Sequence, residues 1–288
     1  MSGGHHAPVS VHLFVLCPPY SGSTVLWKLC GTSPVVSALP NEGQYIPTVK
    51  QVLVRDPWAE ERILPWPFIR QAWERYWDLG ADVLLEKSPP NLLRARDMEP
   101  VFAPAYFLVM VREPYAFCEG VIRRWAWSAR QTAEFAVRLM TAQRENLEQL
   151  EHTLRLTYEE LVADPAGVAR RIEAFVPGLG GVNPEHKFRV HAIDGLRRRG
   201  IVDLNQRKVD NLSPDELADI TAVLEEHGEL LAFWGYALRR PDAEHARRHE
   251  RARRWQRLTA PWRKLLEVLV FAWWQVKSRW RRWAGARR

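Results

Sequence analysis

A chain of 288 residues with 47% hydrophobic and 26% charged residues has the composition of a globular protein long enough for one full domain and an appendage, which excludes disordered, collagen-like and disulfide-scaffold classes. Its three cysteines, Cys17, Cys30 and Cys118, form no CxxC pair and no zinc spacing, so a reducing compartment is expected and structural zinc is not. The net charge of +7 is uneven: residues 241–288 hold 14 Lys and Arg against 4 Asp and Glu, a net of +10, and the remainder carries −3. This divides the chain into a domain over 1–240 and a basic tail over 241–288.

The start MSGGHHAPVS is polar and the apolar run VHLFVLC that follows has only seven residues, too short for a signal peptide. A cytoplasmic protein is therefore expected. VHLFVLC (11–17) predicts a buried strand, the turn through Pro18, Pro19 and Gly22 ends it, and TVLWKLC (24–30) predicts a helix. The order recurs with strand DVLLEK (82–87), helix 91–102, strand AYFLVMVR (105–112), helix 114–130, strand TLRLTY (153–158) and helix 165–176. Residues 131–152 predict a long helix, and 212–236 another with Ser213 as its N-cap and Glu216 completing a capping box. Short apolar strands alternating with helices predict an α/β fold, a P-loop-like parallel sheet flanked by helices. The segments CPPYSGST, EKSPPN and REPY each follow a strand and should converge at the carboxyl edge of the sheet, where such sheets bind ligands.

CPPYSGST (17–24) is a turn of small residues between strand and helix, a form that aims backbone N–H groups and a helix N-terminus at one anion. Gly22 permits close approach, and Ser21, Ser23 and Thr24 offer hydroxyls. The nucleotide-triphosphate loop GxxxxGK[ST] needs a lysine for the terminal phosphates; here Ser23 stands in its place and Cys17 in place of the first glycine. ATP or GTP with magnesium is a poor ligand for such a loop.

Three separated motifs together resemble the sulfotransferases that use 3′-phosphoadenosine 5′-phosphosulfate (PAPS), in the branch of the tyrosylprotein and carbohydrate enzymes. PPYSGST resembles the family's 5′-phosphosulfate loop, with Tyr20 where a basic residue is usual. VMVREPYAFCEGVIRR (109–124) is similar to the 3′-phosphate segment: Arg112 and Arg124 match its arginines, while Gly120 replaces its serine. LTYEELVADP (156–165) resembles the segment whose tyrosine approaches the nucleotide, here Tyr158. The resemblance spans about residues 11–238. It implies in-line transfer of a sulfuryl group from PAPS to an acceptor hydroxyl of a carbohydrate, glycolipid or similar molecule, with no metal. It further implies Glu42, in LPNEGQYIP, as the general base, Lys87 as the cation on the leaving phosphate, and Lys208, in DLNQRKVDN, as a lysine near the 5′-phosphate. Glu86 is expected to point to the opposite side of its strand from Lys87 and to make a structural pair. A non-catalytic peripheral membrane protein that keeps the fold to bind a nucleotide or anion is the alternative, motivated by Tyr20 and Gly120.

In the tail, Trp255, Leu258, Trp262, Leu265, Leu269, Trp273, Val276, Trp280 and Trp283 recur at spacings of three and four among arginines and lysines. The spacing predicts a C-terminal basic amphipathic helix from about 244 to 283. The apolar run 265–276 is shorter than the roughly 20 residues that cross a bilayer core. Attachment to the anionic inner face of a membrane stands beside docking on the domain and a homodimer seam; nucleic acid is not expected.

Overall fold

A computed structural model describes residues 10–189, 198–255 and 257–258. Five parallel strands form one sheet in the order β2-β3-β1-β4-β5: β1 Val11–Leu16, β2 Val36–Ala38, β3 Val83–Glu86, β4 Ala105–Val111 and β5 Thr153–Thr157. Every residue of β1 is buried, the signature of a central parallel strand covered on both faces. Its alternate side chains divide between two cores. Phe14 and Leu16 join Phe107 and Val109 in one, whereas Leu13 and Val15 join Leu108 and Met110 in the other, as the two-residue period of a strand requires.

The helices that cover the sheet and meet the site are α1 Ser23–Cys30, α2 Pro47–Leu53, α3 Trp66–Glu74, α4 Ala95–Met98, α5 Pro114–Trp125, α6 Ala129–Gln149, α7 Tyr158–Ala163, α8 Pro165–Phe175, α9 Asn205–Asn211, α10 Pro214–Glu225 and α11 Gly228–Trp234. Ser213 caps α10 and forms the expected capping box with Glu216. Three expectations are corrected. The helix at 91–102 is a 3₁₀ turn over Pro89–Leu93 and the single turn α4, because Arg94 between them has left helical geometry at φ −134° and ψ 13°. The helix at 114–130 stops at Ala126, in left-handed geometry at φ 55°, and Ser128 caps the next helix. The helix at 212–236 breaks at 226–227 into α10 and α11. The edge strand β2, the helices α2 and α3, and a short antiparallel pair, Phe188–Arg189 with Arg198–Arg199, were not predicted.

Residues 243–255 are helical and their start is docked on the domain. His245 Nε2 donates to Leu212 O at 3.0 Å, His249 Nδ1 donates to Asp210 O at 3.2 Å, and Arg248 Nε pairs with Asp210 at 2.9 Å. The tail residues from 259 onward lie outside the described residues.

The core around β1 also holds a titratable ring. His12 is 3% exposed and packs against Phe14, Trp77 and Phe102. Burial, then the charge of Arg70, pull its pKa from 6.5 down to about 4. The unfolded chain therefore binds a proton between those values that the folded chain refuses. Stability is full above pH 6.5 and falls as the pH drops toward about 4, by roughly 3 kcal/mol at about 1.4 kcal/mol per pKa unit. Urea titrations from pH 7 to 4 should show this slope, and His12→Leu should flatten it.

Candidate active site

Gly22 adopts φ 93° between the end of β1 and α1, the left-handed region that a side chain resists. A Cβ there would also stand 2.7 Å from the Tyr158 ring. The loop thus turns beneath Tyr158, and α1 begins at Ser23 with no side-chain cap on its amides. Ser21 is buried, with Oγ donating to Pro19 O at 3.3 Å. Cys17 donates to the Pro18 and Ser21 carbonyls, and burial holds its thiol pKa far above the ordinary value. It fixes the loop rather than serving as a nucleophile.

Arg112, at the end of β4, is 5% exposed. Its Nη1 donates to Tyr20 O at 2.8 Å, its Nε donates to Asn205 Oδ1 at 2.7 Å, and its guanidinium stacks 3.9 Å from the Tyr158 ring centroid. Burial lowers its pKa, opposed by Tyr158 and Glu159. Its Nη2 is buried with no hydrogen-bond partner among the described residues. A buried guanidinium retaining unused donors suits an anionic ligand, and on this ground the residues present fit a phosphorylated nucleotide. Tyr158 OH donates to Val202 O at 2.9 Å, so it packs as a strand-end aromatic while its face carries Arg112. Arg124 is exposed near the end of α5, within electrostatic range of Tyr20 and Lys208. Lys208 lies on α9 against Glu119 of α5, at 2.7 Å, on the Arg112 side of the loop.

Lys87 follows β3 and is 3% exposed. Its ammonium pairs with Glu42 Oε1 and lies 3.4 Å from Thr24 Oγ1. The other Glu42 oxygen accepts from Gln44 Nε2. Residues far apart in sequence, Thr24, Glu42 and Lys87, therefore share one point beside the loop. Of the two histidines that flank the loop after α8, His186 sits in an exposed turn and His191 lies outside the described residues.

Sequence reasoning missed what holds Glu42 there. Glu86 does turn away from Lys87, and it is 1% exposed. Its Oε1 accepts from Gly43 N at 2.9 Å and Ser88 Oγ at 2.5 Å, and its Oε2 accepts from Asn91 Nδ2 at 3.0 Å. Ser88 Oγ also accepts from Gln44 N, and Trp73 Nε1 donates to Gly43 O at 3.1 Å. Burial pushes the Glu86 pKa up to about 7, opposed by these donors. Asn205 and Glu159 were missed likewise: Glu159 accepts from Asn205, from Glu113 N at 3.1 Å and from Tyr236 OH at 2.7 Å, orienting the amide that Arg112 meets. The pairs EK and YE were visible in the sequence, but only packing shows what the two glutamates grip.

Gly43 has no room for a side chain. A Cβ would stand 2.6 Å from the Trp73 ring and 2.8 Å from Glu86 Oε1. Gly43→Ala is expected to cost about 1–3 kcal/mol, the range for overpacking, read as a lower urea midpoint with an unchanged slope.

Residues 12–179, more than half of the chain, match the model of the Sulfotransferase family. No curated protein matches. In structure the chain is similar to a sulfotransferase from Alicyclobacillus acidocaldarius, at 17% identity, 79% of this chain and 97% of that one covered, and a TM-score of 0.50, a likeness of fold. Lower TM-scores are found for the sulfotransferase domain from the curacin biosynthetic pathway (0.46; 18% identity; 80% and 99% covered) and a sulfotransferase from Mycobacterium avium (0.49; 14% identity; 82% and 79% covered). A parallel five-stranded sheet, a small-residue loop after its central strand and the family match over 12–179 lead to one conclusion: the chain belongs to the sulfotransferase family and is an enzyme of sulfuryl transfer.

Proposed function

We propose that the enzyme moves the sulfuryl group of PAPS to a hydroxyl of a carbohydrate or glycolipid acceptor. The observation that carries this reading is the Glu42–Lys87 pair beside Thr24, at the mouth of the loop. PAPS supplies an activated sulfonate joined to a phosphate that leaves as a stable anion. Glu42 takes the proton of the acceptor hydroxyl, and the acceptor oxygen bonds to sulfur as the bond from sulfur to the phosphate oxygen breaks. Lys87 meets the negative charge that develops on that oxygen. General-base action contributes about 100-fold or more, and a fixed cation on developing charge acts with little reorganisation. Before substrates enter, Lys87 holds the Glu42 carboxylate in place, and Glu86 holds the backbone that bears it.

In this reading Ser21, Gly22, Ser23 and Thr24, with the first amides of α1, take the 5′-phosphosulfate, as a helix start with free N–H groups favours. Tyr20 borders the same loop. Arg112 and Arg124 supply the positive charge for the nucleotide's other phosphate, Tyr158 backs Arg112, and Lys208 adds a further cation beside the loop.

Calorimetry with adenosine 3′,5′-bisphosphate tests the donor. Arg112→Ala should weaken it by about 1.5–3 kcal/mol, the range for hydrogen bonds to charged groups. Glu42→Gln should keep that affinity while lowering turnover about 100-fold, measured with labelled PAPS against a panel of sugars, glycolipids and peptides. Preference for ATP with magnesium, or full turnover of the Glu42 variant, overturns the reading.

We further propose that the basic tail attaches a cytoplasmic enzyme to an anionic membrane face. Trp255 and Leu258, the described members of its apolar stripe, are 65% and 63% exposed. Lys and Arg near such a surface contribute about 1 kcal/mol each, screened by salt. The full chain should co-sediment with phosphatidylserine vesicles at low salt and lose part of that binding at high salt, while a chain ending at residue 258 stays in solution. Equal partitioning of both would favour docking or self-association.

A further inference from the structure

A group of aromatic side chains extends from the loop after β1 toward Glu42. Trp125, at the end of α5, has its ring 5.9 Å from that of Tyr20, 6.2 Å from that of Trp58 and 5.1 Å from that of Trp127. Trp58, Trp125 and Trp127 all rest on Phe135 of α6, at 5.0, 5.8 and 5.4 Å. Tyr45, three places after Glu42, lies within electrostatic range of both Glu42 and Tyr20. The rings above Phe135 are left partly in water: Tyr45 is 44% and Trp127 38% exposed, and Tyr20, Trp58 and Trp125 are half-buried.

The backbone is strained where it presents these rings. Among the described residues, three that are not glycine take positive φ: Tyr20 at 59°, Asp56 at 42° and Ala126 at 55°. The first belongs to the group, the second stands two places before Trp58, and the third separates Trp125 from Trp127. Left-handed geometry is disfavoured for a residue with a side chain, and such strain gathers at functional positions. The segment that carries Trp58 is also tied down at three successive carbonyls. Arg94 donates to Pro57 O at 2.8 Å and to Ala59 O at 2.6 Å, and Arg138 donates to Trp58 O at 2.6 Å. Arg94 is 3% exposed, so a buried guanidinium is committed to holding this stretch of chain.

Rings that are fixed yet half in water do not suit a hydrocarbon chain, whose removal from water needs enclosure. They suit a ligand with one apolar face and a hydrated edge. A pyranose ring has that form, because its C–H groups can cover an aromatic face while its equatorial hydroxyls stay solvated. The cations around the group are paired, Arg138 with Glu60 at 2.7 Å and Arg123 with Glu216 at 2.8 Å, which suits a ligand without charge.

We propose that Trp58, Trp125 and Trp127, continued by Tyr20 and Tyr45, are a preformed acceptor platform. Its ligand is an uncharged pyranoside that stacks on the rings and turns one hydroxyl to Glu42, and Arg94 and Arg138 are positioning residues for Trp58. The inference rests on the sulfuryl-transfer reading above and names the site and the class of its acceptor.

Steady-state turnover of the full chain with saturating PAPS tests it, with methyl glycosides of glucose, galactose and mannose and their neutral disaccharides set against phenol and 1-octanol. A glycoside should be the preferred acceptor. Trp58→Ala and Trp127→Ala should each raise KM for it about 10-fold, the scale of one lost aromatic contact. A contact made equally before and during reaction leaves kcat within about 3-fold, and Trp58→Phe should recover most of the loss. Arg138→Met, which removes the donor to the Trp58 carbonyl, should raise KM by a smaller factor. Calorimetry should show the affinity for adenosine 3′,5′-bisphosphate unchanged in all four variants. Preference for phenol or octanol, or an unchanged KM in Trp127→Ala, overturns the inference. Trp127 is exposed, so its variant decides if Trp58→Ala fails to fold. Bisphosphate binding without turnover of any glycoside also overturns the platform while leaving the donor reading intact. A wild-type chain that binds no bisphosphate removes the donor reading, and this inference with it.

Discussion

The buried guanidinium of Arg112 ties together segments that would otherwise drift independently around the mouth of the sheet. It is almost wholly shielded from water, and a planar charged fork in that position needs fixed partners in fixed directions. Those partners are the carbonyl of Tyr20 in the loop after β1, the amide of Asn205 on α9 and the face of Tyr158 at the start of α7. Glu159 then fastens Asn205 to the start of α5 and to Tyr236 beyond α11. The left-handed loop at Tyr20 and Gly22 is held against Tyr158 and Arg112.

Across the loop, two adjacent residues at the end of β3 divide a task. Successive side chains of a strand point to opposite sides, so Glu86 turns to one side and Lys87 to the other, both buried. The Glu86 carboxylate meets three donors and fixes the backbone at Gly43, and the Lys87 ammonium meets the side chain of Glu42. Backbone and side chain of one short segment are thus held from one point on the sheet. A carboxylate whose position is set before a ligand arrives needs little reorganisation when one binds.

Tyr20 and Gly120 each depart from what the motifs would lead one to expect, and apart in sequence they read as two defects. In the fold they touch: the glycine provides the room that the tyrosine and Lys208 fill. Positive charge stands nearby on α5 and α9, where Lys208 pairs with Glu119.

Local signals in the sequence determined the strand-and-helix order, the parallel sheet, the loop after β1 and the Ser213 capping box, because apolar period, turn residues and caps act within a few residues. The resemblance of the motifs, rather than any local signal, singled out Arg112, Lys87 and Glu42. What neither determined was set by contacts between distant segments. The breaks at Arg94, Ala126 and 226–227 interrupt sequences that read as continuous helices, and α2 and α3 form where Trp66 and Trp73 find a core built by β1 and β4. Glu86 was placed on the correct side of its strand, but the turn it grips lies 43 positions earlier. The pairing of Lys208 with Glu119 likewise depends on how α9 packs on α5, which no single stretch of the chain encodes. Periodicity fixes which face of an element is apolar; only the assembled fold fixes which charged group meets which.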